Sequence, residues 1–175
     1  MASRVNRINR RGISNVVATI ILIAVAIALA VAVAVWVFSL SGSASKAATL
    51  TVQAVGLSGL GKGTANLVLL ISNPSSSGIG INGFTLGSLS CVFSAPVQVP
   101  AGTQGGQLTI SIPVTASGYF GTSNVGVTGS GGITVPSSIS VSCSGNQTAQ
   151  VGIQYSGYLT TVSGQTYPFT VTASS

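Results

Sequence analysis

The chain contains no aspartate, no glutamate and no histidine among its 175 residues. General acid/base catalysis at neutral pH draws chiefly on histidine and carboxylates, and hard cations need carboxylate oxygens, so most enzyme mechanisms lose their central groups. Two cysteines without a histidine cannot build a four-ligand zinc site. Serines are plentiful, but the only side chains left to activate one are Lys46 and Lys62. The composition therefore points away from an enzyme, a metalloprotein or a cofactor-dependent protein. It also leaves almost no side chain to titrate between strongly acid and mildly alkaline pH. Acid denaturation works largely by protonating carboxylates paired in the folded state, so stability should be nearly independent of pH.

The positive charge is as uneven as the negative charge is absent. Arg4, Arg7, Arg10 and Arg11 all lie in the first dozen residues, and without these four the formal charge falls from +6 to +2. That remainder is too small to grip a phosphate backbone, and no nucleic-acid partner is expected.

What is present falls into three zones. Residues 1–12, "MASRVNRINRRG", form a basic leader that stays on the cytoplasmic side of a membrane by the positive-inside rule. Residues 13–40 are apolar, and from Val16 to Leu40 only Thr19 and Ser39 interrupt the run. Those residues span roughly 37 Å as a helix, enough to cross a bilayer. Within this run Ala alternates with Val, Ile or Leu from Ala24 to Val35, a period of two that resembles a strand. Both faces of such a strand would be apolar, and alone in lipid its backbone would go unsatisfied, so helix is the expectation. On a helix the alternation becomes two i, i+4 rows: Ala24, Ala28, Ala32 and Ala26, Ala30, Ala34. Small-residue rows permit close helix packing, although alanine and valine are also common residues of any membrane helix.

Residues 41–47 read as a small-residue linker, and residues 48–175 change character to Gly, Ser, Thr and Val. In this part "TLTVQAV" places Leu50, Val52 and Ala54 on one face, and "LTISIPVT" does the same with Leu108, Ile110, Ile112 and Val114. "SISVSCS" and "TYPFTVTA" repeat the pattern, while "ANLVLLIS" is apolar on both faces, as expected of a central strand. Pro113 and Pro168 fall on the polar faces of their runs, which suits edge strands or bulges. About seven to ten such strands indicate two packed antiparallel sheets. The expected fold is thus α+β: a long N-terminal hydrophobic α-helix followed by an all-β, immunoglobulin-like antiparallel sandwich head.

Cys91 is in phase with Leu89 and Phe93, and Cys143 with Ile139 and Val141, so both point at the inferred core. In an exported domain this pair is expected to form a disulfide closing a long loop; the alternative is two buried free thiols. "NQT" at Asn146 is the one usable glycosylation sequon, since the proline after Asn73 blocks "NPS".

An ordinary secretory signal has a shorter apolar region followed by a small-residue cleavage site, and cleavage within the alanines would release a soluble head. "NRRGIS" also partly matches a twin-arginine signal but lacks its second apolar residue. The whole front end, "RRG" followed by "ISNVVATIILIAVAIALAVAVAVWV", resembles the class III signal peptide of archaeal type IV pilins and the related archaellins. The resemblance covers residues 4 to about 45 and not the head. It implies processing at Arg10, Arg11, Gly12 and Ile13: a prepilin peptidase cuts after Gly12 and leaves Ile13 as the new N-terminus. Val17 stands where bacterial members typically carry glutamate, which points to the archaeal branch.

The resemblance implies a major pilin of an extracellular adhesion filament, a helical homo-oligomer handled by the pilus assembly machinery and embedded in the membrane before assembly. It also makes sugars on Ser and Thr an expectation. Two rivals share the front end. One is an archaellin of a motility filament, less favoured because "GISNVVATIILIAVAIA" looks more like the pilin members. The other is an anchored or pseudopilus-like binding protein using Tyr119, Phe120, Tyr155, Tyr158 and Tyr167.

Overall fold

The computed structural model describes residues 10–44 and 49–175. They form two compact units that divide at Ser45 and Lys46.

The first unit is one helix, α1, Arg10–Ala44. It has no proline, and its Ala and Leu content favours helix; the alternation of "AVAVAV" is helical, as expected. The helix is longer than the apolar run at both ends. Residues 41–44, expected as linker, are helical, because Ser, Gly and Ala each cost less than about 1 kcal/mol in a helix already propagating through them. The rest of the expected linker, and Arg4 and Arg7 of the leader, lie outside the described residues.

The second unit is a β-sandwich of nine strands among the described residues. These are β1 (Thr51–Ser58), β2 (Thr64–Ser72), β3 (Ile79–Leu86), β4 (Leu89–Val99), β5 (Gly106–Pro113), β6 (Gly126–Ser130), β7 (Val141–Ser144), β8 (Gln154–Thr161) and β9 (Thr166–Thr172). They pair antiparallel throughout as a four-stranded sheet, β1-β2-β5-β6, and a five-stranded sheet, β7-β4-β3-β8-β9. The β1-β2-β5 and β9-β8-β3-β4 neighbours reproduce the A-B-E and G-F-C-C′ pairings of immunoglobulin sandwiches. One edge of each sheet is wired differently: β7 lies beside β4 but follows β6 in the chain, whereas the immunoglobulin C″ strand follows C′ directly. Strand β6 follows its neighbour β5 in the chain, whereas the immunoglobulin D strand precedes E.

Each strand turns its apolar residues inward. Leu67, Leu69 and Ile71 of β2 and Leu108, Ile110 and Ile112 of β5 are fully buried, and so are Ile81, Leu86, Leu89, Val97 and Val99 of the opposing sheet. The inward phase slips where a strand bulges. It passes from Val52 and Ala54 to Leu57 in β1, and from Ile79 and Ile81 to Phe84 and Leu86 in β3. Strands β3 and β4 are joined by Gly87 and Ser88, with Gly87 at φ 59°, the first position of the tight turn that glycine favours.

The prolines divide. Pro168 lies in edge strand β9, as expected, while Pro113 ends β5, a central strand. Proline is tolerated there because β5 pairs with β6 only as far as Ser111; beyond it Gly121 N donates to Pro113 O at 2.7 Å, and only the return bond of that pair is forgone. The two sheets meet along one side. Leu57 of β1 bridges Ala173 just beyond β9, and Ser174 N donates to Leu57 O at 2.7 Å.

Candidate functional site

The most unusual surface is the helix itself. From Asn15 to Ser39 it is 25 residues long, with a mean hydropathy of 3.2 over its most apolar 18-residue window, sufficient in length and composition to cross a membrane. All of its side chains over that span are exposed, and the large ones leave half or more of their area uncovered. A helix that is apolar all round is built to be surrounded by apolar matter, either lipid or other helices. The Thr19 hydroxyl within it is internally satisfied, since Thr19 Oγ1 donates to Val16 O at 2.8 Å.

The Ala24, Ala28, Ala32 row and the Ala26, Ala30, Ala34 row lie on this regular, exposed helix with Val, Ile and Leu rows between them. Arg10, Arg11, Gly12 and Ile13 open α1; their side chains lie outside the described residues. The residue reading overlooked Trp36 and Phe38, which are 68% and 77% exposed at the end of the span far from the arginines. The signal was available, because Trp36 is the single tryptophan of the chain, and aromatic side chains gather at the boundary between lipid and water.

In the head, Cys91 and Cys143 are disulfide-bonded. They are direct cross-strand partners on β4 and β7, with Cα atoms 4.0 Å apart. Cys91 is buried and Cys143 half-buried, so the link fastens the short edge strand β7 to the core.

The two asparagines of the sequon question sit in opposite environments. Asn146 is exposed, its backbone fixed by Ser88 Oγ donating to Asn146 O at 2.5 Å. Asn73 is fully buried. Its Nδ2 donates to the carbonyls of Ser77, Val99 and Pro100, and its Oδ1 accepts from Ser75. Proline aside, its amide is fully engaged in holding the β2–β3 turn to the end of β4.

The aromatic residues named for a binding face are not gathered into one. Phe120 and Tyr155 are core residues whose rings meet edge to face at 5.6 Å. Tyr167 is half-buried, and Tyr119 and Tyr158 are exposed. Among the described residues there is no group of three or more potential metal ligands. The head has shallow grooves of about 660 and 390 Å³, one beside β6 and one near Gly80 and Val162. Neither is lined by a lysine that could activate a serine.

No family model and no curated protein matches this chain. The class defined so far is structural: a membrane-length helix, uncharged from Asn15 to Ser39, and a disulfide-bonded β-sandwich.

Proposed function

We propose that this chain is the subunit of an extracellular filament of the archaeal type IV pilus kind, acting by assembly and not by turnover. The observation that carries this reading is the helix, which is uncharged and exposed on every side from Asn15 to Ser39 and follows directly behind Arg10, Arg11 and Gly12.

The chemistry explains why processing would be coupled to assembly. While the arginines are attached, drawing the helix out of the bilayer costs several kcal/mol for each charge brought to its centre, about 3 on insertion scales. Cleavage after Gly12 removes all four arginines and leaves a segment with no charged side chain from Ile13 to Ser45. That helix can exchange acyl chains for neighbouring helices without burying a charged side chain, and the one new charge, the Ile13 α-amino group, sits at its very end. The alanine rows allow close approach, and the Val, Ile and Leu rows fill the spaces between.

The head fits an outer sheath. It has Lys62 as its one charged side chain, a disulfide, and serine- and threonine-rich outer faces. The dispersal of its aromatic residues weakens the case for a dedicated ligand-binding head. The assembled product would be a surface filament for adhesion, with the unprocessed subunit held in the cytoplasmic membrane.

The test is N-terminal sequencing and intact mass of protein sheared from cells. Ile13 as first residue is the expected result, with any excess mass reporting glycans at Asn146 or on hydroxyls. An N-terminus among the alanines, or beyond residue 45, overturns the reading.

A further inference from the structure

A strand at the edge of a sheet leaves backbone N–H and C=O groups unpaired, and soluble proteins blunt such edges with charge, proline, bulges or covering chain. This head has almost no charge to use. Its four edges are β1 and β6 of one sheet and β7 and β9 of the other. Strand β9 carries Pro168, and its continuation is tied to β1 at Ala173. Strand β7 has four residues and is locked down by its disulfide. Strand β1 bulges between Ala54 and Gly56 and is closed beyond the bulge by Ser174, which leaves its first half, Thr51–Ala54, as open edge.

Strand β6 has none of these devices on its edge: the segment that follows it packs under its inner face at Gly129, and Thr134 of that segment pairs with Gln98 of β4 instead. Its sequence "GVTGS" lacks charge and proline, its register with β5 is unbroken, and it has a strand on one side only. The open groove of about 660 Å³ runs beside it, lined by Val125, Val127, Ile133, Val135, Pro136 and Ile139. A bare backbone edge next to an apolar groove is the arrangement that accepts an added strand: the edge supplies the ladder and the groove takes alternate side chains.

The topology says which strand fits. In the four-stranded antiparallel sheet β1 and β6 run in opposite directions, as the first and last members of any even-numbered antiparallel sheet must. Simple translation of a second head across the sheet therefore brings its β1 beside β6 with the alternation intact. The five-stranded sheet lacks this property, because β7 and β9 run the same way. We propose that the β6 edge takes the β1 edge of a second copy of this chain, so that the four-stranded sheets of neighbouring heads join edge to edge. The contact uses two different edges of one molecule, so it is heterologous, the kind of contact that propagates into an open filament when its rotation does not close a ring. It buries no charge, since Lys62 lies in the turn between β1 and β2 and neither edge strand carries a charged residue. This inference rests on the filament reading and adds the surface by which heads recognise one another.

Cysteine pairs in the full-length chain test it. Thr51, Gln53 and Thr128 are exposed on the outer face of the sheet, so Thr51→Cys or Gln53→Cys, each combined with Thr128→Cys, samples two registers. Filaments sheared from cells and mildly oxidised should give a ladder of covalent multimers on a non-reducing denaturing gel with at least one pair, while each single variant stays monomeric. Thr128→Lys should abolish filaments without changing the amount of processed subunit, and adding Gln53→Glu should restore them. Intact filaments with no ladder from either pair, or undiminished filaments with Thr128→Lys, overturn the proposal and leave the filament reading standing. A dimer from Thr128→Cys alone also overturns it, because it shows a symmetric contact. A wild-type chain that forms no filament removes the underlying reading and this inference together.

Discussion

The Tyr155 hydroxyl reaches back seven residues to donate to the Thr148 carbonyl at 2.8 Å, and the same oxygen accepts the Gln150 amide at 2.9 Å. Tyr155 is the second residue of β8, which occupies the F position of the sandwich, so this contact is the counterpart of the tyrosine corner of immunoglobulin domains. It pins the connection that runs from β7 into β8, directly after the Asn146 sequon. Tyr155→Phe keeps the ring against Phe120 and removes only the hydroxyl. The expected loss is about 1–3 kcal/mol, the cost of stranding partly buried backbone partners, read as a lower midpoint in chemical unfolding of the detergent-solubilised protein.

The Cys91–Cys143 link closes a sequence separation of 52 residues. In the chain-entropy model a loop of that length contributes roughly 4 kcal/mol. The protein's mass should be two daltons below the fully reduced value. Replacing both cysteines with alanine should lower the unfolding midpoint, with β7 the first segment to lose amide-exchange protection, because it is a four-residue edge strand held otherwise by β4 alone.

Ala28→Leu and Ala30→Leu place a bulky side chain in the small rows of an exposed helix. Leucine is nearly as good a helix former and a better membrane residue, so insertion and peptidase processing should be unchanged. Close approach of neighbouring helices should fail, and filament yield from cells should fall while the processed subunit accumulates in the membrane.

Stability should hold nearly constant from about pH 2 to 8. Its slope with pH follows the difference in protons bound by the unfolded and folded states. With no aspartate, glutamate or histidine, the side chains bind the same number in both states across that window, and the slope is close to zero. Unfolding midpoints measured at intervals across the window check this. A collapse between pH 5 and 3 would contradict it.

Much of this architecture was legible from residue order. Uninterrupted alternation in "LTISIPVT" and "TYPFTVTA" marked β5 and β9 with the right inward faces, and "ANLVLLIS", apolar on both faces, is the central strand β2. Legibility failed where the period of two broke. The bulges in β1 and β3 transfer the inward face between odd and even positions, so a strict alternation ends before the strand does. "SISVSCS" erred the other way: its alternation begins at Ser138, but pairing with β4 extends only over Val141–Ser144. Pro113 read as an edge residue because proline excludes a ladder partner, a rule that the end of a central strand satisfies equally well.

The sequence by itself determined everything that depends on composition and one-dimensional order: the lack of carboxylate and imidazole side chains, the membrane-length apolar helix behind an arginine cluster, and the two-layer β head. These follow because burial and charge act on each residue in proportion to its own chemistry. Only the tertiary structure decided which strands are edges, which cysteine faces which, that Asn73 is sealed in the core while Asn146 is presented, and that Tyr155 braces a corner. Each of those depends on the pairing of segments tens of residues apart, which local periodicity does not encode.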